Sequence, residues 1–253
     1  MKPLIKMYFH QSYIIPVLWM MFFGLSACQK EGGSCFTNTG KIIRQDRQLS
    51  DFDSISLNDY VNLILTQDTM NLVSVEAGQN IVDGITTTVI DRQLVIHNRN
   101  ECNWLRSYTK PINVYVTVKN LWKVNYNSSG NLTTTNAIAS DIFIVDAWGG
   151  CGSIDIELKI HEGFFIQHMG TADFKLRGVC GINSVYAGDF GLFDCGDLQT
   201  GYTFIKNYGS NDCYVQASMF LDATIGSIGN IYYKGNPDTL YTHIFGSGEI
   251  LPF

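Results

Sequence analysis

Charge is scarce in this chain. Only 16% of its 253 residues are Asp, Glu, Lys or Arg, and the acids outnumber the bases 23 to 17, for a net charge of −6. So few bases leave little to neutralise phosphates, which excludes nucleic acid as a partner and makes an anionic lipid surface a poor one. After Leu25 no second long apolar run follows, so no further membrane span is expected. No Cys-x-x-Cys or Cys/His spacing of the zinc kind occurs, and neither a metal site nor a cofactor is expected. There is no Gly-x-Ser-x-Gly elbow: Ser128, Ser129, Ser227 and Ser247 stand beside glycines without a placed His/Asp pair. A phosphate loop and a paired acid and base are also absent. What abounds is Gly, Asn, Ser, Thr and aromatic residues, the composition of many short strands and tight turns.

The one long apolar run lies at the start. Lys2 and Lys6 precede it, Tyr13 to Leu25 form an apolar stretch short for a membrane span, and Leu25-Ser26-Ala27-Cys28 closes it. These residues resemble the lipobox of bacterial lipoproteins. The resemblance implies a signal peptide over 1–27, cleavage before Cys28, and acylation of Cys28 as the membrane anchor. Gln29-Lys30-Glu31 resembles the short polar signal that, in some Gram-negative lineages, sends lipoproteins to the outer face of the outer membrane. The expected location is therefore the outer membrane and the cell surface, with the periplasmic face as the alternative. Residues 28–49 are read as lipidated cysteine and tether, with Gly32, Gly33 and Ser34 suited to flexibility.

Of the seven cysteines, six remain after lipidation of Cys28. Export permits disulfides. Cys35 and Cys102 lie in polar, loop-like surroundings and are the expected pair. Cys151, Cys180, Cys195 and Cys213 sit in apolar or Gly-flanked strands, where buried thiols are expected and any pairing stays open.

Beyond residue 120 the chain repeats. Leu132, Ile154, Phe174, Phe193, Cys213, Ile231 and Ile250 form a column with steps of 22, 20, 19, 20, 18 and 19 residues. The residue before each is Asn131, Ser153, Asp173, Leu192, Asp212, Asn230 and Glu249, mostly types that tolerate turns. The column and the residues after it alternate apolar and polar with period two, as strands do. If the repeats stack in parallel, Lys175 falls between Asp155 and Asp194, and Arg177 beside Glu157, with Gly196 next in that row. Such a ladder supports the register at ~0.2–1 kcal/mol per pair. A second apolar segment precedes each column member, giving two strands per coil of about twenty residues.

The reading is all-β: a single-domain right-handed parallel β-helix (β-solenoid) over 50–253 with an N-terminal strand cap, the alternative being a β-sandwich. Residues 50–118 supply the cap and first rungs, and 119–253 about seven more. Phe52-Asp53-Ser54-Ile55-Ser56, the hairpin around Asp91-Arg92-Gln93 and the strand Val114-Tyr115-Val116-Thr117-Val118 resemble the head GIN domain family of auto-transporter adhesins. So do Ser128-Ser129-Gly130-Asn131-Leu132, Leu221-Asp222-Ala223-Thr224-Ile225-Gly226-Ser227, Ile231-Tyr232-Tyr233-Lys234-Gly235-Asn236-Pro237 and the terminal Gly246-Ser247-Gly248-Glu249-Ile250. The resemblance implies a β-helical domain on exported bacterial proteins with an adhesin role. It carries no catalytic residues to this chain, which departs from the family's glycine-rich turns at Ile228.

For function, the outward acids Asp155, Glu157 and Asp194 imitate the acidic face of glycan-cleaving β-helices, but interleaved Lys175 and Arg177 read as a structural ladder. Asp173, Asp189 and Asp212 read as turn residues needing no calcium. His161 and His168 stand seven residues apart, a spacing that does not align two strand side chains on one metal. Tyr214 and Tyr232 share an outward column, with Gln216 and Lys234 beside them, and form the candidate ligand-binding set. Ser54, Thr69 and Thr239 sit in Asp-Ser/Thr-apolar triplets that resemble bacterial O-glycosylation sites. The functional expectation is a non-enzymatic adhesion or scaffolding module, anchored to the membrane by lipid and meeting glycans or surface proteins. The alternative is a glycan-binding or glycan-active protein on the same fold.

Overall fold

The computed structural model describes residues 38–101 and 110–253. Seven strands form the N-terminal part: β1 (Ile42–Arg47), β2 (Ser54–Asp59), β3 (Asn62–Gln67), β4 (Leu72–Gly78), β5 (Ile85–Ile90), β6 (Gln93–Asn98) and β7 (Asn113–Val118). Eleven follow: β8 (Lys123–Ser128), β9 (Leu132–Thr134), β10 (Ile138–Gly150), β11 (Ser153–Gly170), β12 (Asp173–Ala187), β13 (Phe193–Asn207), β14 (Cys213–Gln216), β15 (Phe220–Ile225), β16 (Ile231–Lys234), β17 (Thr239–Ile244) and β18 (Ile250–Pro252). One 3-10 turn, Val82–Gly84, interrupts them, and the described residues contain no α-helix. The strands coil into a β-solenoid of about six turns.

The apolar column sets the stacking. Ile154 lies beside Leu132 and Phe174, Phe174 beside Phe193, Phe193 beside Cys213, Cys213 beside Ile231, and Ile231 beside Ile250, all in parallel register. Parallel rungs are incompatible with a β-sandwich, whose two sheets are antiparallel. The inward side chains from Leu132 to Ile231 are buried and Ile250, on the last rung, is partly so; Phe174 and Phe193 stack at 4.3 Å between centroids, with Phe143 and Phe165 buried on the other strand of the coil. Each such phenylalanine contributes about 1.5–3 kcal/mol by burial.

The corners are held by side-chain oxygens. Four of the residues before column members accept a hydrogen bond from the backbone of the next rung: Ser153 N–H donates to Asn131 Oδ1 (3.1 Å), Leu192 N–H to Asp173 Oδ1 (2.9 Å), Asn230 N–H to Asp212 Oδ1 (2.9 Å) and Glu249 N–H to Asn230 Oδ1 (2.8 Å). These residues, read from sequence as turn formers, therefore staple successive coils. Inside the corners, buried Ser128, Gln167 and Asn207 hydrogen-bond backbone atoms that the turns leave unpaired. At Gly178 φ is +108°, and a Cβ would run into the Leu158 carbonyl of the rung below. Only glycine fits there.

The N-terminal part departs from chain order. The rung made by β2 and β3 is inserted between the β6–β7 rung and the β8–β9 rung, pairing in parallel with both. The outermost rung is then covered by antiparallel strands: β5 on β6, β4 on β7, and β1 on β4. These end the parallel stack and leave β1, with Arg44, Asp46 and Arg47, as a charged edge that discourages further pairing. Part of the segment 28–49 read as tether is strand instead: Ile42–Arg47 pairs with β4 and Ile43 packs on the core.

Candidate functional site

Each coil turns two outward sides to solvent, and they differ in chemistry. On the side of β11, β12, β13, β14 and β16, Asp155 lies beside Lys175 and Lys175 beside Asp194, as the repeat predicts. The ion pair forms diagonally, however: Arg177 reaches Asp155, with Glu157 at 4.0 Å. A bulge after Lys175 brings Asp197, rather than Gly196, beside Arg177. The extra residue shifts the alternation by one and lets Lys234 Nζ meet Asp197 Oδ1 at 3.2 Å.

The candidate ligand-binding set lies at the end of this ladder. Tyr214 and Tyr232 are register partners, as are Gln216 and Lys234. The two rings stack at 5.1 Å with planes 13° apart, and Phe253 packs edge-on against Tyr214 at 5.5 Å. Lys234 Nζ sits 5.9 Å from the Phe253 ring. Desolvation, then the carboxylate of Asp212, raise the Tyr214 phenol above its usual value. The stack covers the facing sides of the two rings and leaves both tyrosines part-exposed.

The acids at the turns are engaged by backbone: Asp173 and Asp212 as above, and Asp189 by Gly170 N–H at 2.8 Å. Among the described residues no three His, Cys, Asp or Glu side chains converge to hold a metal. His168 lies flat on Trp148 at 3.9 Å, with Nε2 3.2 Å from Asp146. Of the O-glycosylation candidates, Thr69 and Thr239 are exposed, whereas Ser54 is buried in β2 with its hydroxyl on the Arg92 carbonyl. Burial between two paired strands takes Ser54 away from any glycosyl donor. Cys151, Cys180, Cys195 and Cys213 are free thiols, the last three buried. Cys28, and the proposed pair Cys35 and Cys102, lie outside the described residues.

The other outward side holds what the sequence reading missed. Along β10, β11, β12, β13, β15 and β17 the outward positions mix aromatic and aliphatic side chains with polar ones such as Asp146, Glu162, Lys206 and Asp222, and Phe220 contacts three rings: Tyr202 at 6.3 Å, Phe204 at 5.3 Å and Tyr241 at 5.7 Å. Near the corner, Trp148, His168, Tyr186 and Tyr208 form a file across successive coils. A signal was present: Ile142-Phe143-Ile144-Val145 and Phe164-Phe165-Ile166 do not alternate, and a strand apolar on both faces is a strand made to be covered on both.

The described residues thus form a β-solenoid with side-chain staples at its corners and two outward sides of different chemistry. The chain belongs to the family described as "Putative auto-transporter adhesin, head GIN domain", which matches residues 51–237. No curated protein matches it significantly. Solved structures share its fold. A putative adhesin from Bacteroides fragilis is 23% identical, with a TM-score of 0.77 over 84% of this chain and 97% of that one. A putative lipid binding protein from Parabacteroides distasonis is 19% identical, with a TM-score of 0.67 over 86% of this chain and 99% of that one. A putative adhesin from Parabacteroides merdae is 17% identical, with a TM-score of 0.62 over 85% of this chain and 98% of that one. The family and these relatives carry the names of adhesins and a lipid-binding protein, and none of an enzyme.

Proposed function

We propose that this chain is a lipid-anchored protein of the outer membrane, displayed at the cell surface, where it acts as a non-enzymatic adhesion or scaffolding module. The observation that carries the reading is the rigid presentation of outward aromatic side chains on stapled rungs, with Tyr214 stacked on Tyr232 and Lys234 alongside. Phenol edges, an amide and an ammonium suit glycan hydroxyls or a polar protein surface. The lipobox ending at Cys28 supports the anchor, and the acidic balance supports partners other than nucleic acid.

Glycan cleavage is less well supported. Arg177 engages Asp155 and lies near Glu157, so the acids of that ladder are spent on one another's neighbours rather than free as an acid and base. The test has two parts. Protease added to intact cells is expected to digest the protein while a periplasmic control survives, and Cys28→Ser is expected to abolish membrane anchoring. Tyr214→Ala with Tyr232→Ala is expected to lower binding to glycan or matrix arrays at least tenfold. Full protection from protease, or unchanged binding by the folded double variant, would remove the corresponding half of the proposal.

A further inference from the structure

We propose that Trp148, with the Asn127 and Asn58 amides beside it, is a second binding site, which takes one ring of a neutral glycan. It is separate from the Tyr214 and Tyr232 set and lies on the other strand of each coil. Its first sign is an irregularity. Near the end of β10 the pairing with β11 shifts twice, between Ala147 and Trp148 and again between Trp148 and Gly150, and Gly149 has a φ of +75°. Bulges of this kind re-aim a side chain. The backbone register sets Trp148 beside Met169, while the indole lies flat on His168, with centroids 3.9 Å and planes 18° apart.

His168 belongs to the next coil, so this stacking turns the second face of the indole back along the solenoid. Among the described residues no other ring stacks on Trp148, which is 52% exposed, and a Cβ at Gly149 would meet nothing within 4 Å. The ring is open on that face and held on the other. His168 Nε2 lies 3.2 Å from Asp146 Oδ1, and Lys123 Nζ 3.2 Å from Asp146 Oδ2. The Asn127 amide, with its nitrogen turned to donate, holds the Trp148 carbonyl at 2.9 Å.

The coils on the open side carry short amides. Ala147 lies beside Tyr126, which brings Asn127 next to Trp148, and Asn127 lies beside Asn58 one coil further on. Asn is much shorter than Trp, so the indole stands as a wall above an amide floor. Two rung spacings of about 4.8 Å make that floor about 9.6 Å long. A pyranose in contact with the indole at about 4 Å sits over Asn127, with its far hydroxyls toward Asn58. The aromatic face meets the C–H groups of the sugar ring, and amides donate to and accept from its hydroxyls. An apolar surface with a few placed polar groups is what small-ligand sites present. A protein anchor is instead ringed by contacts that exclude water. The charges nearby are paired with one another, Asp146 with Lys123 and His168, and Asp59 with His97, so nothing selects a carboxylate or sulfate on the sugar.

The mature chain from residue 28 keeps three of the four tryptophans, Trp104, Trp122 and Trp148. Labelled with 15N-tryptophan, and carrying Cys28→Ser so that it is not acylated, it gives one indole N–H resonance for each, and Trp148→Phe identifies the one in question. The probes are cellobiose, lactose, mannobiose and chitobiose at up to about 10 mM, with sialyllactose as the acidic comparison. At least one neutral disaccharide is expected to shift the Trp148 resonance saturably. By calorimetry, Trp148→Ala is expected to bind that sugar at least tenfold more weakly, and Tyr214→Ala with Tyr232→Ala to bind it as the parent does, which separates this site from the tyrosine set. The resonance is read in the parent chain, so the test stands even where Trp148→Ala does not fold. A Trp148 resonance that no neutral sugar moves, equal binding by folded Trp148→Ala, or a response to sialyllactose alone overturns the proposal. So does a resonance moved by deglycosylated fibronectin and by no sugar, which would assign the platform to protein.

Discussion

Asn62 and Asn131 are 69 residues apart in the chain and adjacent in the stack: the Asn131 N–H donates to Asn62 Oδ1 at 2.9 Å. The same device recurs up the corner, from Asn131 to Ser153, Asp173 to Leu192, and Asp212 through Asn230 to Glu249. On these coils one small side-chain oxygen ties the corner to the next rung, and the outward columns are held in line there.

Removing one staple is expected to weaken the stack measurably. Asp173→Ala leaves the Leu192 amide without its acceptor and is expected to cost about 1–2 kcal/mol, read as a lower urea midpoint with an unchanged slope. Asp173→Asn keeps an acceptor oxygen and is expected to cost under about 0.5 kcal/mol. Equal losses for the two would mean that the hydrogen bond is not what Asp173 contributes.

The buried thiols give a pH dependence of known sign. Burial pushes Cys180 and Cys213 up to about 12 from an ordinary value of 9.0, and raises Cys195 as well. A group whose pKa is raised by folding favours the folded state fully below its unfolded value and loses that contribution as pH rises through the folded value. Stability is therefore expected to fall between pH 9.0 and about 12. At pH 8 the same three thiols are expected to resist iodoacetamide while exposed Cys151 reacts, as mapped by peptide mass spectrometry. Rapid labelling of Cys195 in the folded protein would contradict its burial.

The charged ladder is expected to matter little for stability. Arg177 and Asp155 are 37% and 38% exposed, so solvent screens their attraction. Arg177→Gln is expected to shift the unfolding free energy by less than about 1 kcal/mol, and by less still in 1 M NaCl. A larger loss that persists in high salt would show that the side chain acts by packing over the bulge rather than by charge.

The repeat was legible because the stacked column obeys a rule of sequence. Leu132, Ile154, Phe174, Phe193, Cys213, Ile231 and Ile250 recur at near-constant steps, and each lies beside the next in the structure. The bulge at Gly196 was not legible, since one extra residue changes alternation without changing composition. Nor were the partners of Arg177: rung neighbours can be listed from a register, but a long flexible side chain chooses diagonally among them. Tyr214 and Tyr232 were correctly placed as neighbours, while the Phe253 ring against them was not foreseen.

What the sequence determined by itself was local and periodic: strands from alternation, corners from Asn, Asp and Gly, and stacked coils from the repeat. Only the tertiary structure decided the order of the first rungs, where β2 and β3 slide between β6–β7 and β8–β9 and β4 and β5 turn antiparallel to close the end. The reason is that any parallel rung offers the same backbone hydrogen bonds to any other. Which coil lies against which is therefore settled by burial of a whole column, Leu63 beside both Val114 and Leu132, and not by anything in the neighbourhood of Leu63 along the chain.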